Sequence, residues 1–195
     1  MSVYDIAEAL AVVLNLGYVA LAIFESVACW AVGLFGAVLT LVVFLHARLY
    51  AATALQVVYM ALMVYGWHEW RHGGEKGREL AVSGTPRRWA LVLAAGGVAF
   101  AVGLGVFLRY RTDAALPFWD AGTTSFSLVA QFMTTRKWIE SWLVWIAVDV
   151  VYAGMLISQG LHLMAALYAG YLVLAVLGFA KWRRSMAEAT CREAA

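Results

Sequence analysis

Residues 49–71 read LYAATALQVVYMALMVYGWHEWR, and residues 161–183 read LHLMAALYAGYLVLAVLGFAKWR. Laid over each other without a gap, at an offset of 112 residues, they match at many positions. Leu49 meets Leu161, Ala54-Leu55 meets Ala166-Leu167, Tyr59 meets Tyr171, Leu62 meets Leu174, Val64 meets Val176, Gly66 meets Gly178, and Trp70-Arg71 meets Trp182-Arg183. In the same register Trp30 meets Trp142. Apolar letters coincide readily by chance; three aromatic pairs, a glycine pair and an arginine in one register do not. The register therefore predicts an internal duplication.

The composition says what is duplicated. Of 195 residues, 64% are hydrophobic and 13% charged, with a mean hydropathy of +0.79, against about 45–50% apolar and about 25% charged in a soluble domain. A helix needs about 20 residues to cross a hydrocarbon core of roughly 30 Å. The apolar segments run from about Ile6 to Phe24, Ala31 to Leu45, Leu49 to Trp70, Trp89 to Leu108, Trp119 to Thr135, Trp138 to Leu156 and Leu161 to Lys181. This predicts an all-α membrane protein with seven transmembrane helices in a single domain, residues 1–195. Repeat one spans about 6–70, a linker helix about 89–108, and repeat two about 118–182. Because one odd span separates two three-span copies, both enter the membrane from the same side and are parallel repeats, an arrangement characteristic of transporters.

Arg71 to Arg88, with Gly73-Gly74, Gly77, Gly84 and Pro86, is the expected main loop. Trp30, Trp67, Trp70, Trp89, Trp119, Trp138 and Trp182 fall near span ends and are expected at the headgroups. Eleven of the fourteen lysines and arginines lie on one side, with only Arg48, Arg109 and Arg111 on the other. By the positive-inside rule the amino terminus lies outside and the carboxyl terminus in the cytoplasm. The acidic start before the first apolar run lacks the positive region of a signal peptide, so that run is expected to be retained as a helix.

Several functions are excluded on chemistry. The charges cluster at span ends and form no continuous basic surface for nucleic acid. Cys29 and Cys191 stand in unrelated contexts, and His68 and His72, though spaced as metal ligands, have no third ligand nearby in sequence. There is no phosphate-binding glycine loop and no serine elbow. No catalytic residue, metal or cofactor is predicted, and ATP-driven pumping is disfavoured.

Asp149 is the ionisable residue near the middle of a span, where a lone carboxylate costs at least roughly 2.5–3.5 kcal/mol. It needs water, a partner or a cationic ligand; the alternative is a neutral, hydrogen-bonded Asp joining two helices. Trp142, Trp145, Asp149 and Tyr152 follow at steps of three, four and three and share one helix face. Aromatic rings flanking a carboxylate suit a flat cationic heterocycle; for the rings alone, packing is the other reading. The repeat equivalents of Trp145 and Asp149 are Gly33 and Ala37, so the predicted site is asymmetric. Polar rows on the third span (Thr53, Gln56, Tyr59) and the fifth (Thr123, Thr124, Ser127, Gln131) can hydrogen-bond a ribose or an amide. The Ser and Thr members fit inter-helix bonding better. Gln56 and Gln131 are the stronger site candidates, since a buried amide has four hydrogen-bonding groups to satisfy. Glu25, Arg136, Lys137 and Glu140, at span ends, are expected as a salt-bridged gate or helix caps.

Two stretches carry a family resemblance. The first is Leu49-Tyr50 followed by Leu55-Gln56, Tyr59 and Tyr65-Gly66-Trp67-His68-Glu69-Trp70. The second runs from Phe118-Trp119-Asp120 through Thr135-Arg136-Lys137, Glu140-Ser141-Trp142, Trp145 and Asp149 to Gly160-Leu161. In order and spacing they resemble the PnuC family of bacterial vitamin transporters, over about residues 29–184. The resemblance implies two three-helix bundles joined by one helix, similar to the SWEET proteins. It further implies a homotrimer in the inner membrane that works by facilitated diffusion, with nicotinamide riboside as substrate, trapped inside by phosphorylation. Gln56, Trp142, Trp145 and the position of Asp149 are carried over as binding residues. The chain departs from the pattern in reading Glu140-Ser141-Trp142 where nicotinamide riboside members commonly read Glu-Asn-Trp, and in having Asp149 where Asn is expected in some of them. Thiamine, also a flat cation, is the alternative substrate. Riboflavin and deoxynucleosides are neutral and rank lower. From a different class, a structural or sensory membrane subunit would use Asp149 only to pair helices. For mechanism, the two bundles are expected to open alternately to either side.

Overall fold

With no water in a bilayer core, a spanning backbone must satisfy its own polar groups, and the apolar runs accordingly form helices. The computed structural model describes residues 3–46, 48, 50–74, 79–112 and 115–193. Their order is α1 (Val3–Ile23), α2 (Ala28–His46), α3 (Tyr50–His72), α4 (Arg87–Arg111), α5 (Pro117–Thr135), α6 (Ser141–Ser158) and α7 (His162–Glu193). Each expected span is thus a helix. Among the described residues five of them, α1, α2, α4, α6 and α7, are long and apolar enough to cross a membrane. The other two carry the polar rows: Thr53, Gln56, His68 and Glu69 on α3, and Asp120 with six Ser, Thr and Gln residues between Thr123 and Thr134 on α5.

Most boundaries shift by up to three residues from the sequence expectation, and two of the differences have a clear physical reason. Helix α7 continues past Lys181 to Glu193, because Ala, Met, Glu and Arg sustain a helix after the apolar run has ended. Helix α6 begins at Ser141, not Trp138. Residues 136–140 form a turn in which the apolar Trp138 and Ile139 pack inward, 5% exposed each.

The chain divides into two compact units. The first holds α1, α2 and α3, with residues 79–81, 135–137 and 184–193; the second holds residues 82–112, most of α5, α6 and α7 up to Arg183. In the core of the first, Trp30 meets Trp70 edge-on, ring centres 5.2 Å apart and planes at 87°, and Trp30 lies against Gly66. In the core of the second, Trp142 meets Trp182 at 5.3 Å and 86°, and Trp142 lies against Gly178, where an added Cβ would be 2.6 Å from its ring. All four rings are at most 4% exposed. Trp30, Trp70, Trp138 and Trp182 are therefore internal packing residues and not headgroup anchors; Trp67, Trp89 and Trp119 are exposed. The glycines give each indole room to approach a helix backbone.

The helix ends repeat as well. Among the described residues the left-handed region holds Glu25 (φ 57°), Arg48 (58°), Lys137 (53°) and Gly160 (74°). Glu25 and Lys137, and Arg48 and Gly160, are pairs at the offset of 112. Beyond Glu25 the Ser26 amide donates to Leu21 O (3.0 Å), and beyond Lys137 the Trp138 amide donates to Met133 O (3.1 Å). This is the bond that closes a helix through a left-handed residue. The next bonds also correspond: Cys29 N to Ser26 O and Ser141 N to Trp138 O, both 3.0 Å.

The α3–α4 connection, expected as a loop, is pinned along part of its length. In the first unit Leu80 N donates to Trp70 O and Leu80 O accepts from Lys137 Nζ at 2.9 Å. In the second, Ile139 N donates to Ser83 O, and the Thr85 amide and hydroxyl donate to the Glu140 carboxylate at 2.8 and 2.6 Å. Residues 75–78, which include Lys76, Gly77 and Arg78, lie outside the described residues.

Candidate functional site

Helix α6 carries four of the residues expected at the site. Its first turn sets Trp142 into the Trp182 and Gly178 cage, 4% exposed, with its indole N–H lacking a hydrogen-bond partner among the described residues. The neighbouring Ser141 hydroxyl is likewise buried and unpartnered. One turn on, Trp145 donates its indole N–H to the Thr134 hydroxyl at 3.3 Å, and that hydroxyl donates to Ala130 O at 2.9 Å. The bond ties Trp145 to the last turn of α5 and fixes the direction of its ring.

Asp149 follows another turn along, 5% exposed. No hydrogen bond or ion pair to it exists among the described residues. Tyr152, on the same face, stacks on Tyr168 of α7, centres 4.7 Å apart and planes at 27°. Tyr168 in turn meets Tyr171 at 5.9 Å and 68°, and the Tyr171 phenol is within electrostatic reach of the Asp149 carboxyl. Gln131 on α5 belongs to the same unit and is 2% exposed. Gln56 and Tyr59 are half-buried on α3, in the first unit.

The hydroxyls of α5 divide as their chemistry suggests. Thr123 returns its hydroxyl to the carbonyls of Trp119 and Asp120, both at 3.0 Å. Ser125 donates to Gly97 O of α4 at 2.7 Å. These are helix-binding contacts. A cavity of about 480 Å³ runs between α5 and α6, lined by Trp119, Phe126, Glu140, Val144, Val148 and Val151 among others. Its wall is almost wholly apolar; of the polar row expected on α5 only Thr123 lines it, and none of Gln56, Tyr59, Gln131, Trp142, Trp145, Asp149 and Tyr152 does. It offers lipid or a side chain a surface, and has few groups with which to orient a polar solute.

The two basic residues at the α5–α6 turn are paired within the first unit. Arg136 binds the Glu69 carboxylate and the Tyr65 hydroxyl. Lys137 binds Glu25 at 3.1 Å and lies 4.7 Å over the Trp70 ring. Glu140 stands at the cap position of α6, but its carboxylate serves Thr85 and not its own helix. His68 and His72 are exposed, and the His72 ring bonds the His68 carbonyl.

Sequence reasoning missed Thr134, Tyr168 and Tyr171. Thr134 follows Gln131 by three on the polar row of α5, and Tyr171 is the repeat partner of Tyr59, so both signals were present.

Comparison with known proteins follows the same lines. Residues 5–184 match the family described as "Nicotinamide mononucleotide transporter". The chain is 29% identical to the nicotinamide riboside transporter PnuC of Escherichia coli (strain K12), over 95% of this chain and 89% of that one. It is 28% identical to the riboflavin/roseoflavin transporter RibM of Streptomyces davaonensis, over 70% of this chain and 66% of the other. The crystal structure of the vitamin B3 transporter PnuC superposes with a TM-score of 0.71 at 23% identity, over 93% of this chain and 82% of that one, which establishes a common fold.

Proposed function

The chain belongs to the nicotinamide mononucleotide transporter family, and from that premise we propose that it takes up nicotinamide riboside by facilitated diffusion, with Asp149 meeting the pyridinium charge. It is a multi-pass membrane transporter and not an enzyme. The substrate reading rests on Asp149, buried beside aromatic rings with no cation or donor bound to it among the described residues. A flat cation offsets the cost of that carboxylate in a way a neutral ligand does not. The riboside suits the site better than the mononucleotide, since a phosphate adds roughly −1.5 to −2 charges and α6 has no lysine or arginine to receive it. Riboflavin, named for the Streptomyces relative, is neutral. Thiamine is the second reading, because its thiazolium would use the same carboxylate.

The binding residues in this proposal are Gln56, Tyr59, Gln131, Trp142, Trp145, Asp149 and Tyr152. The architecture is a single domain of seven crossings in the inner membrane, with SWEET-like parallel repeats at about 6–70 and 118–182 joined by the helix at about 89–108. The matched tryptophan cages and left-handed helix ends at the offset of 112 support it. The charge asymmetry supports an outer amino terminus and a cytoplasmic carboxyl terminus. The protein acts as a homotrimer, its bundles open alternately to either side, and phosphorylation inside traps the product.

Titration calorimetry of the purified protein with nicotinamide riboside, thiamine and riboflavin tests this. Preferential binding of nicotinamide riboside is expected, weakened about tenfold or more by Asp149→Asn, which corresponds to about 1.4 kcal/mol. Preference for thiamine moves the substrate and keeps the site. Binding of none of the three, with the fold intact, supports a structural or sensory subunit.

A further inference from the structure

We propose that Tyr168 and Tyr171 of α7 are specificity-determining residues, which with Tyr152 and Asp149 of α6 form an aromatic wall that selects a cationic ring over a neutral one. The inference rests on the nicotinamide riboside reading and adds two residues to it.

The geometry is that of two helix rungs. Asp149 and Tyr152 are one turn apart on α6, and Tyr168 and Tyr171 one turn apart on α7, so each pair shares a face. Tyr152 stacks on Tyr168 and Tyr168 meets Tyr171 edge-on, so the chain of rings begins one helix turn from Asp149. Three phenol rings therefore accompany one buried carboxylate that has no hydrogen bond among the described residues. Packing alone would be served by an apolar residue at position 149. A carboxylate among aromatic faces is incomplete without positive charge, and ring faces attract the charge that a carboxylate neutralises.

The repeat supplies an independent argument. At the offset of 112, Tyr168 and Tyr171 correspond to Gln56 and Tyr59, the pair on α3 whose polar spacing marks them as site candidates. The partners on the preceding helix do not correspond: Asp149 replaces Ala37, and Tyr152 replaces Thr40. The carboxylate and the stacked ring thus occur together in the second unit only. Where the first unit offers an amide at Gln56, suited to hydrogen bonding, the second offers a ring at Tyr168. The two halves differ in the chemistry they can read.

The test compares nicotinamide riboside with its reduced dihydro form, which has nearly the same shape and no ring charge. Both are titrated into the full-length protein carrying Tyr171→Phe, Tyr171→Leu, Tyr171→Met or Tyr168→Leu. The phenylalanine variant should keep the wild-type ratio of cation to neutral affinity. The ringless variants should lower that ratio roughly 3- to 30-fold, the range expected for one cation–π contact. An unchanged ratio in ringless variants that retain the wild-type melting temperature overturns the inference and leaves the substrate reading standing. Two ringless choices at position 171 guard against one that fails to fold. Wild-type protein that binds no nicotinamide riboside overturns both.

Discussion

Replacing Glu25 by glutamine should lower the melting temperature of the ligand-free protein by roughly 4–12 °C. The size follows from what the substitution leaves behind. The Lys137 side chain is 6% exposed and its ammonium lies 3.1 Å from the Glu25 carboxylate. Its remaining partners are neutral: Leu80 O at 2.9 Å and the Trp70 face at 4.7 Å. Breaking a buried ion pair from one side costs about 3–5 kcal/mol. Because Glu25 is 21% exposed, solvent screens the pair in part and about 2–3 kcal/mol is the reasonable figure. For a chain of 150–250 residues each kcal/mol is worth roughly 2–4 °C. Lys137→Met should cost less, since the carboxylate left behind can reach water. The double variant should be less destabilised than the sum of the two, with a coupling of about 1–2 kcal/mol. A charge exchange, Glu25→Lys with Lys137→Glu, should fail to restore stability, although both residues occupy equivalent left-handed positions. A carboxylate at position 137 would face a carbonyl oxygen and the negative face of an indole, and both repel it. The assay is thermal unfolding followed by tryptophan fluorescence in detergent, analysed as a double-mutant cycle. Additive single effects, or full rescue by the exchange, would refute the reasoning.

Arg136→Ala, one residue earlier, should shift the melting temperature by less than about 3 °C: its side chain is 36% exposed, and pairs of that kind contribute about 0–1 kcal/mol. Gly178→Ala would press a methyl to 2.6 Å from Trp142 and should destabilise by about 1–3 kcal/mol; Gly66→Ala should do the same against Trp30. Gly103→Ala on α4, with open space around its Cβ, should be neutral or stabilising by up to about 1 kcal/mol, and the three melting curves together check the cages. Thr134→Val removes the acceptor of the Trp145 N–H at nearly constant shape, at a cost of about 1 kcal/mol for the lost bond. It should shift the tryptophan emission and weaken nicotinamide riboside several-fold, with recovery in Thr134→Ser; unchanged binding in the valine variant would separate Trp145 from the ligand.

The fold was legible where hydropathy and structure obey the same rule. Apolar runs become helices because lipid leaves the backbone no other partner, so the cores of all seven helices could be read from the sequence. The ends of α6 and α7 could not. Trp138 and Ile139 are as apolar as a span but are buried in a turn, while residues 183–193 are mostly polar yet helical. Hydropathy reports where lipid is, and helical bonding does not stop there. The tryptophans misled for a related reason: position near a span end suits a headgroup anchor, but Trp30, Trp70, Trp138 and Trp182 are turned into protein. Gly66 and Gly178 were visible in the repeat; their role as the floor under an indole needed the geometry. At the candidate site, Trp145, Asp149 and Tyr152 follow from spacing on one helix. Tyr168 and Thr134 lie on other helices, and spacing along α6 cannot reach them.

The left-handed helix ends link the repeat to the ion pair. A non-glycine residue at such a position costs of order 1–3 kcal/mol, and glycine is the usual solution. At Gly160 a Cβ would meet nothing within 4 Å, so glycine serves there for its backbone freedom alone. At Glu25 and Lys137 the chain accepts strain at both equivalent positions. The side chains explain the exception, because they bind each other, and Lys137 also holds Leu80 and Trp70. Glycine at either place would relieve the turn and break the pair. The two turns share one backbone conformation at the offset of 112 while their side chains are opposite in charge. The same separation is visible deeper in the helices, where Trp142 keeps the cage geometry of Trp30, while Trp145 and Asp149 stand where the first unit has Gly33 and Ala37. Shared positions hold the two cages, and the divergent ones are where the proposed substrate contacts lie, so a substitution at position 149 tests substrate choice while leaving both cages in place.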